Sequence, residues 1–401
     1  MDRFEEISRA LAEAGLDGWL FYDFRLSDPL AYRILGLPET GLATRRWFYF
    51  VPAAALPRAL VSAVEAHRLD ALPVGMRIVY RSEREMISGL ARLVEGCRRI
   101  AMNYSPMCAI PYVSRVDAGT LELVRATGVE VVSAADLIQR FEAVLTAAQL
   151  AGHRRAALHL RAIVDEAFGE VARCVRENRS CTEYGLQRFV LERIGARGLR
   201  TDEAPIVAVN AHAANPHFCP GATHDTAIKP GDLVLLDLFA KETAPDSIYG
   251  DLTWMGYVGD AVPEHLGAAF KIVAEARHAA VDLVRSRVAA GAPVTGEEAD
   301  RAARHVIEAA GYGEQFVHRT GHSIGREVHG TGANLDSLET RDHRSLIENT
   351  CFSVEPGIYL PERFGIRSEL DMTIEAGRAE ISGGPPQVEI IAMTARFAER
   401  Q

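Results

Sequence analysis

Two pairs of acidic residues set at one interval constrain this chain more than any other feature. Asp237 and Asp251 are 14 residues apart, and so are Glu355 and Glu369. Each pair follows a helix opening at a similar distance. Ser180-Cys-Thr-Glu183 begins 57 residues before Asp237, and Thr295-Gly-Glu-Glu298 begins 60 before Glu355. Both openings have capping-box form, in which hydroxyl and carboxylate satisfy each other's orphan amides. The two helices close near Gly195–Gly198 and Gly311–Gly313. A helix and then an acid-bearing hairpin, twice over, predicts a pseudo-symmetric α+β domain with four acids converging at its centre.

Those acids are expensive where they stand. Val234–Phe239 reads as a buried strand, Ile248–Val258 contains a second, and Pro245-Asp-Ser247 supplies turn chemistry between them. A carboxylate among Val, Leu and Phe must be paired, hydrogen-bonded or metal-bound, and that is the position of Asp237. Asp251 lies on the opposing strand; Glu355 follows the apolar run CFSV and Glu369 follows FGIRS. Four acids drawn together raise one another's pKa values, a cost that divalent cations cancel. Oxygen-rich ligation with an imidazole suits Mn²⁺, Co²⁺, Fe²⁺ or Zn²⁺. Imidazoles are at hand: six of the thirteen histidines fall in two windows, His212, His217 and His224, then His318, His322 and His329. A lone loop histidine is ordinarily structural, but three spaced by four and seven before an acidic strand are not ordinary.

The remainder of the chain frames this centre. The first 145 residues alternate apolar strands (Gly18–Phe24, Trp47–Val51, Ala59–Ala63, Arg99–Asn103, Val129–Ser133) with helices (Arg3–Ala14, Glu83–Glu95, Val116–Thr127), which is α/β order. Their aromatics, Trp19, Tyr22, Phe24, Trp47, Phe48 and Tyr49, suit core and interface packing. A long helical pattern over Ala147–Arg176 then begins a second domain, so that the division is 1–145 and 146–401. With 24% charged residues and a formal charge of −10, the chain lacks a footprint for nucleic acid or an anionic membrane. No apolar run reaches the ~20 residues of a membrane span, and the charged N-terminus lacks a signal-peptide core. Six scattered cysteines without C-x-x-C pairs fit a reducing, cytoplasmic setting.

In this order, NPH (215–217), LLDLFA (235–240), YGDLTW (249–254), HRTGHSIGREVHG (318–330), SVEPGIYL (353–360) and GIRSE (365–369) resemble the pita-bread metallopeptidases. Within that family they are similar to the Xaa-Pro dipeptidase (prolidase) and Xaa-Pro aminopeptidase branch. The resemblance covers the second domain and implies a creatinase/aminopeptidase-like fold there, preceded by a smaller creatinase-type α/β domain. It implies five metal ligands, Asp237, Asp251, His322, Glu355 and Glu369, holding two divalent ions per subunit, Mn²⁺ foremost, with Co²⁺, Zn²⁺ or Fe²⁺ as alternatives. The substrate implied is a short proline-containing peptide, and the N-terminal domain is expected to mediate a homodimer and cover the active site.

Roles follow from the same resemblance. Two ions sharing a water would drive hydrolysis, with Glu355 both ligand and proton shuttle. His329 and His217 stabilise the oxyanion and orient substrate, His318 lines the same pocket, and Arg367, two residues before Glu369, braces the ligands. Arg341 occupies the place of the arginine that holds a dipeptide's carboxylate, which favours Xaa-Pro dipeptides over longer peptides. A creatinase-like C–N hydrolase, a methionine aminopeptidase and a non-catalytic binding protein are the competing expectations. Three positions depart from the family's usual pattern: Ser323 for Gly, Gly330 for an acid, and Trp254 for Arg.

Overall fold

The computed structural model describes residues 3–398, in two compact units, Met1–Glu142 and Ala143–Gln401. Among the described residues no helix is long and apolar enough to cross a membrane, and all six cysteines are free.

The first unit runs α1 (Arg3–Glu13), β1 (Gly18–Asp23), α2 (Pro29–Leu35), β2 (Trp47–Pro52), β3 (Arg58–Ser62), β4 (Met76–Tyr80), α3 (Glu83–Leu93), β5 (Arg99–Met102), α4 (Ala118–Arg125), β6 (Glu130–Ser133) and α5 (Ala135–Ile138). Its sheet has the order β4-β3-β2-β1-β5-β6. Alternate residues of its central strands enter two different cores: Trp19, Phe21, Trp47 and Tyr49 on one face, Leu20, Tyr22, Phe48 and Phe50 on the other. Burial on both faces explains why these strands read as unbroken apolar runs. Phe24 is the exception, 41% exposed just beyond β1. Three elements were not expected from the sequence, α2, β4 and the four-residue α5.

The second unit opens with α6 (Ala147–Arg176), held by a Thr146–Gln149 capping box, and α7 (Glu183–Ala196). Then come β7 (Leu199–Arg200), β8 (Ile206–Val209), β9 (Leu233–Glu242) and β10 (Gly250–Tyr257). The plan repeats with α8 (Glu264–Ala289), α9 (Gly296–Ala309), β11 (Ser323–Ile324), β12 (Thr350–Val354), β13 (Gly357–Leu360), β14 (Phe364–Arg367), β15 (Leu370–Glu375), β16 (Arg378–Ile381) and the short β17 (Ile391–Ala392). Each half is a long helix, a 14-residue helix and a sheet. The sheets are β17-β10-β9-β7, with β8 also on β9, and β11-β12-β15-β16. Val234, Leu236, Leu238 and Ala240 pack with α6 and α7, while Phe352, Val354, Met372 and Ile374 pack with α8 and α9.

Two details of the expected symmetry are corrected. The α9 capping box is present as Thr295–Glu298. The one expected at Ser180–Glu183 is not, because Thr182 caps α7 through Gly185 N. Glu183 is instead fully buried, accepting from Val209 N at 2.7 Å and lying 2.9 Å from His212 Nδ1. The equal 14-residue spacing also hides unequal register. Asp237 stands opposite Thr253, and Asp251 opposite Phe239, in a plain antiparallel hairpin. Glu355 and Glu369 instead stand just outside the β12–β15 ladder, which ends at Val354–Leu370, with their amides bonded to Thr320 O and Thr253 O and the separate hairpin β13–β14 between them in sequence.

Candidate metal centre

Strand alternation points Asp237, Asp251 and Thr253 to one face, away from Leu252 and Trp254, which join the α6 core. Trp254 therefore lies under the Arg161 guanidinium, 3.7 Å from ring centroid to Cζ, on the face away from the acids. The opposing face comes from His322, one residue before β11, and from Glu355 and Glu369 at the ends of β12 and β15. Gly321 makes that approach possible, since a Cβ there would meet Ser353 O at 2.0 Å.

Asp251, His322 and Glu369 each offer a ligand atom within 4.8 Å of the others. His322 Nε2 is 3.6 Å from Asp251 Oδ2 and 3.4 Å from Glu355 Oε1. Its Nδ1 lies 3.1 Å from Ser323 O, so the proton belongs on Nδ1 and the Nε2 lone pair faces the acids. Asp237 completes the group through Arg367, whose Nη2 donates to Asp237 Oδ2 at 2.5 Å. Arg367 also donates from Nε to Thr253 Oγ1 at 3.0 Å and from Nη1 to Tyr359 OH at 3.2 Å. It is 3% exposed, a buried brace.

The electrostatics are those of a site short of cations. Burial, then mutual repulsion, raises the carboxyl pKa values of Asp251 and Glu369 well above normal. Burial also raises Asp237, with Arg367 opposing, and brings Glu355 up to about 7. Oδ1 of both Asp237 and Asp251 is buried without a hydrogen-bond partner among the described residues. Orphaned carboxylate oxygens beside an inward imidazole lone pair are a donor set that divalent ions fit.

The other expected residues divide. His329 stacks edge-on against His322 at 4.4 Å between centroids; crowding by protein and the Arg319 charge lower its pKa to about 4, though its outer edge is exposed. His217 is exposed and is an electrostatic neighbour of both Asp237 and His329. His318 has both nitrogens engaged, Nδ1 with Arg319 O at 2.6 Å and Nε2 with Tyr359 OH at 2.7 Å, and burial lowers it to about 3. It thus holds Tyr359. Arg341 is exposed on its loop and is not among the residues that touch the acids. Arg344 is buried, clamping Asp342 and the carbonyls of Thr331 and Gly332.

Sequence reading missed Thr253, Ser353, Tyr359 and Asp371. Thr253 Oγ1 donates to Glu369 Oε2 at 2.6 Å, and Ser353 Oγ donates to Glu355 Oε1 at 3.2 Å. Thr253, Ser353 and Asp371 each lie two residues from a named acid, which was the available signal; Tyr359, on the separate β13–β14 hairpin, offered none.

Comparison with known proteins gives the chain's family. The profile of metallopeptidase family M24 matches residues 152–376. A probable dipeptidase PepE of Mycobacterium tuberculosis is 27% identical over 392 residues, 96% of this chain and 95% of that protein. The Xaa-Pro dipeptidase of Lactobacillus helveticus is 38% identical over 164 residues, 41% of this chain and 40% of that one. The crystal structure of dipeptidase PepE from Mycobacterium ulcerans superposes with a TM-score of 0.70 at 25% identity, covering 97% of each chain.

Proposed function

The chain belongs to metallopeptidase family M24 and has its pita-bread fold, and from that premise we propose that it is a two-metal exopeptidase cleaving Xaa-Pro dipeptides. The observation that carries this reading is the buried group of four carboxylates and one imidazole with unpartnered oxygens on Asp237 and Asp251. Asp237, Asp251, His322, Glu355 and Glu369 would hold the two ions, Mn²⁺ foremost. Once bound, these would supply Lewis acidity towards the scissile carbonyl and acidify water.

The chain's own groups do the rest. Glu355, whose side chain is 14% exposed, is the acid best placed to take a proton and deliver it to the departing nitrogen. His329, neutral at working pH, can donate to the developing oxyanion, and His217 can orient the peptide across from it. Arg367 keeps the Asp237 carboxylate in one rotamer. The N-terminal unit is assigned dimerisation and active-site cover, which size-exclusion chromatography with light scattering would test.

A second reading, an Xaa-Pro aminopeptidase acting on longer peptides, differs mainly in what receives the substrate's carboxylate. Arg341 is exposed, with no ion-pair partner among the described residues, and so is available to a dipeptide. Proline release should be measured from Xaa-Pro and Xaa-Pro-Xaa, with and without Mn²⁺, for wild type and Arg341→Ala. The dipeptidase predicts preference for Xaa-Pro and a raised KM for it alone in the variant. Faster turnover of Xaa-Pro-Xaa, unchanged by the variant, selects the aminopeptidase. No cleavage of either peptide with any divalent ion refutes both.

A further inference from the structure

Behind the acids lies a second buried cluster that no motif contains. Asp371 is 1% exposed, two residues beyond Glu369 on the same face of β15. Its Oδ2 accepts the backbone amide of Asp251 at 2.8 Å. On its other side stands His153 of α6, with Nε2 3.9 Å from Asp371 Oδ2 and 3.4 Å from the thiol of Cys351 on β12. His153 Nδ1 is spent on Tyr249 O at 2.6 Å, so a lone pair on Nε2 faces the thiol and the carboxylate. Five segments thus meet at one buried point: α6, the residue before β10, β10, β12 and β15. Asp371 Oδ1 has no hydrogen-bond partner among the described residues. A carboxylate half satisfied in such a place is costly, and its one strong contact is to the backbone of Asp251.

That contact falls where β10 is open. Below the two residues that pair with β17, this edge of β10 meets the second half at three points. Asp371 takes the amide of Asp251, Glu369 N donates to Thr253 O at 3.3 Å, and Gln387 bonds both backbone groups of Met255. The Asp371 contact is the one made to the residue that bears an acid of the centre.

We propose that Asp371 is a positioning residue for Asp251: by holding that amide it sets the Asp251 carboxylate against His322 and Glu369. The inference rests on the reading of Asp251 as a metal ligand. Groups that orient ligands in this way alter metal affinity by about 10–100-fold when removed.

The test is Mn²⁺ binding measured by titration calorimetry and chelator competition, which needs no turnover. Asp371→Asn keeps an oxygen acceptor for the amide and offers His153 a donor, so it should bind within about threefold of wild type. Asp371→Leu leaves the amide unpaired and should bind about 10–100-fold more weakly, with an unchanged circular dichroism spectrum. Cys351→Ala, which touches His153 and not Asp251, should bind as wild type does. Wild-type affinity in the Leu variant overturns the proposal, as does equal weakening in the Asn variant, which would make charge the agent. If the Leu variant does not fold, Asp371→Ser, too short to reach the amide, replaces it with the same two outcomes. Wild-type protein that binds no divalent ion would overturn the ligand reading first, and this inference with it.

Discussion

Thr253 and Glu369 are joined by a 2.6 Å hydrogen bond that ties the acid pair of one half to that of the other. The same hydroxyl accepts from Arg367 Nε at 3.0 Å, so one side chain orients an acid and the brace beside it. Thr253→Val keeps the shape and removes both bonds. It should lower kcat/KM about 10–100-fold and weaken metal binding, with Thr253→Ser restoring most of both. Serine and valine variants of equal activity would show the hydroxyl to be idle.

Two departures from the family pattern fit one another. A Cβ on Gly330 would lie 2.9 Å from Ser323 Oγ, and one on Gly332 2.5 Å from it. Ser323 Oγ also accepts from Gly332 N at 3.0 Å, so the serine fills the notch these glycines leave. Gly330→Ala should cost about 1–3 kcal/mol by overpacking, and much less beside Ser323→Gly. A urea-denaturation double-mutant cycle measures the coupling; additive costs would mean the two positions are independent.

Acid should weaken the fold through His153. Burial holds its pKa to about 4, against about 6.5 in an unfolded chain. Between those values the unfolded chain binds a proton that the folded protein refuses. Stability is therefore lost as pH falls from about 6.5 to about 4, by an amount on the order of 3 kcal/mol, and the loss then levels off. His153→Gln should flatten the stability–pH curve over that window; parallel curves for variant and wild type would exclude His153 as the cause.

Metal should stabilise as well as activate. Four acids that repel when bare make the ion-free protein the weaker fold, and ligand at about 100 times its Kd adds about 2.7 kcal/mol. Chelation should lower the Tm and readdition of Mn²⁺ should restore it. Asp251→Asn should remove most of that dependence, and a Tm indifferent to chelator would contradict the assignment.

The acidic residues were legible because burial of charge leaves a mark in one dimension: a carboxylate inside an apolar run. Register left none. The 14-residue interval matched in both halves, yet one interval spans a plain hairpin and the other holds an inserted one. Nor did the helix start at Ser180 survive, since a neighbouring hydroxyl, Thr182, caps better and frees Glu183 to bind the His212 loop. Helix α2 was missed although Asp28 caps it and Pro29 sits at its first turn; its seven residues are too few to show a period. Asp371 escaped because the motif that flags Glu369 stops two residues short of it.

The bridged edge of β10 bears on behaviour outside catalysis. Gln387 both donates to and accepts from the backbone of Met255, at 2.6 and 2.9 Å, as a neighbouring strand would. An uncovered strand edge is a template for pairing between molecules. Loosening the residues that cover it, by acid or by loss of Gln387, should first be seen as light scattering and turbidity, ahead of any fall in helix content.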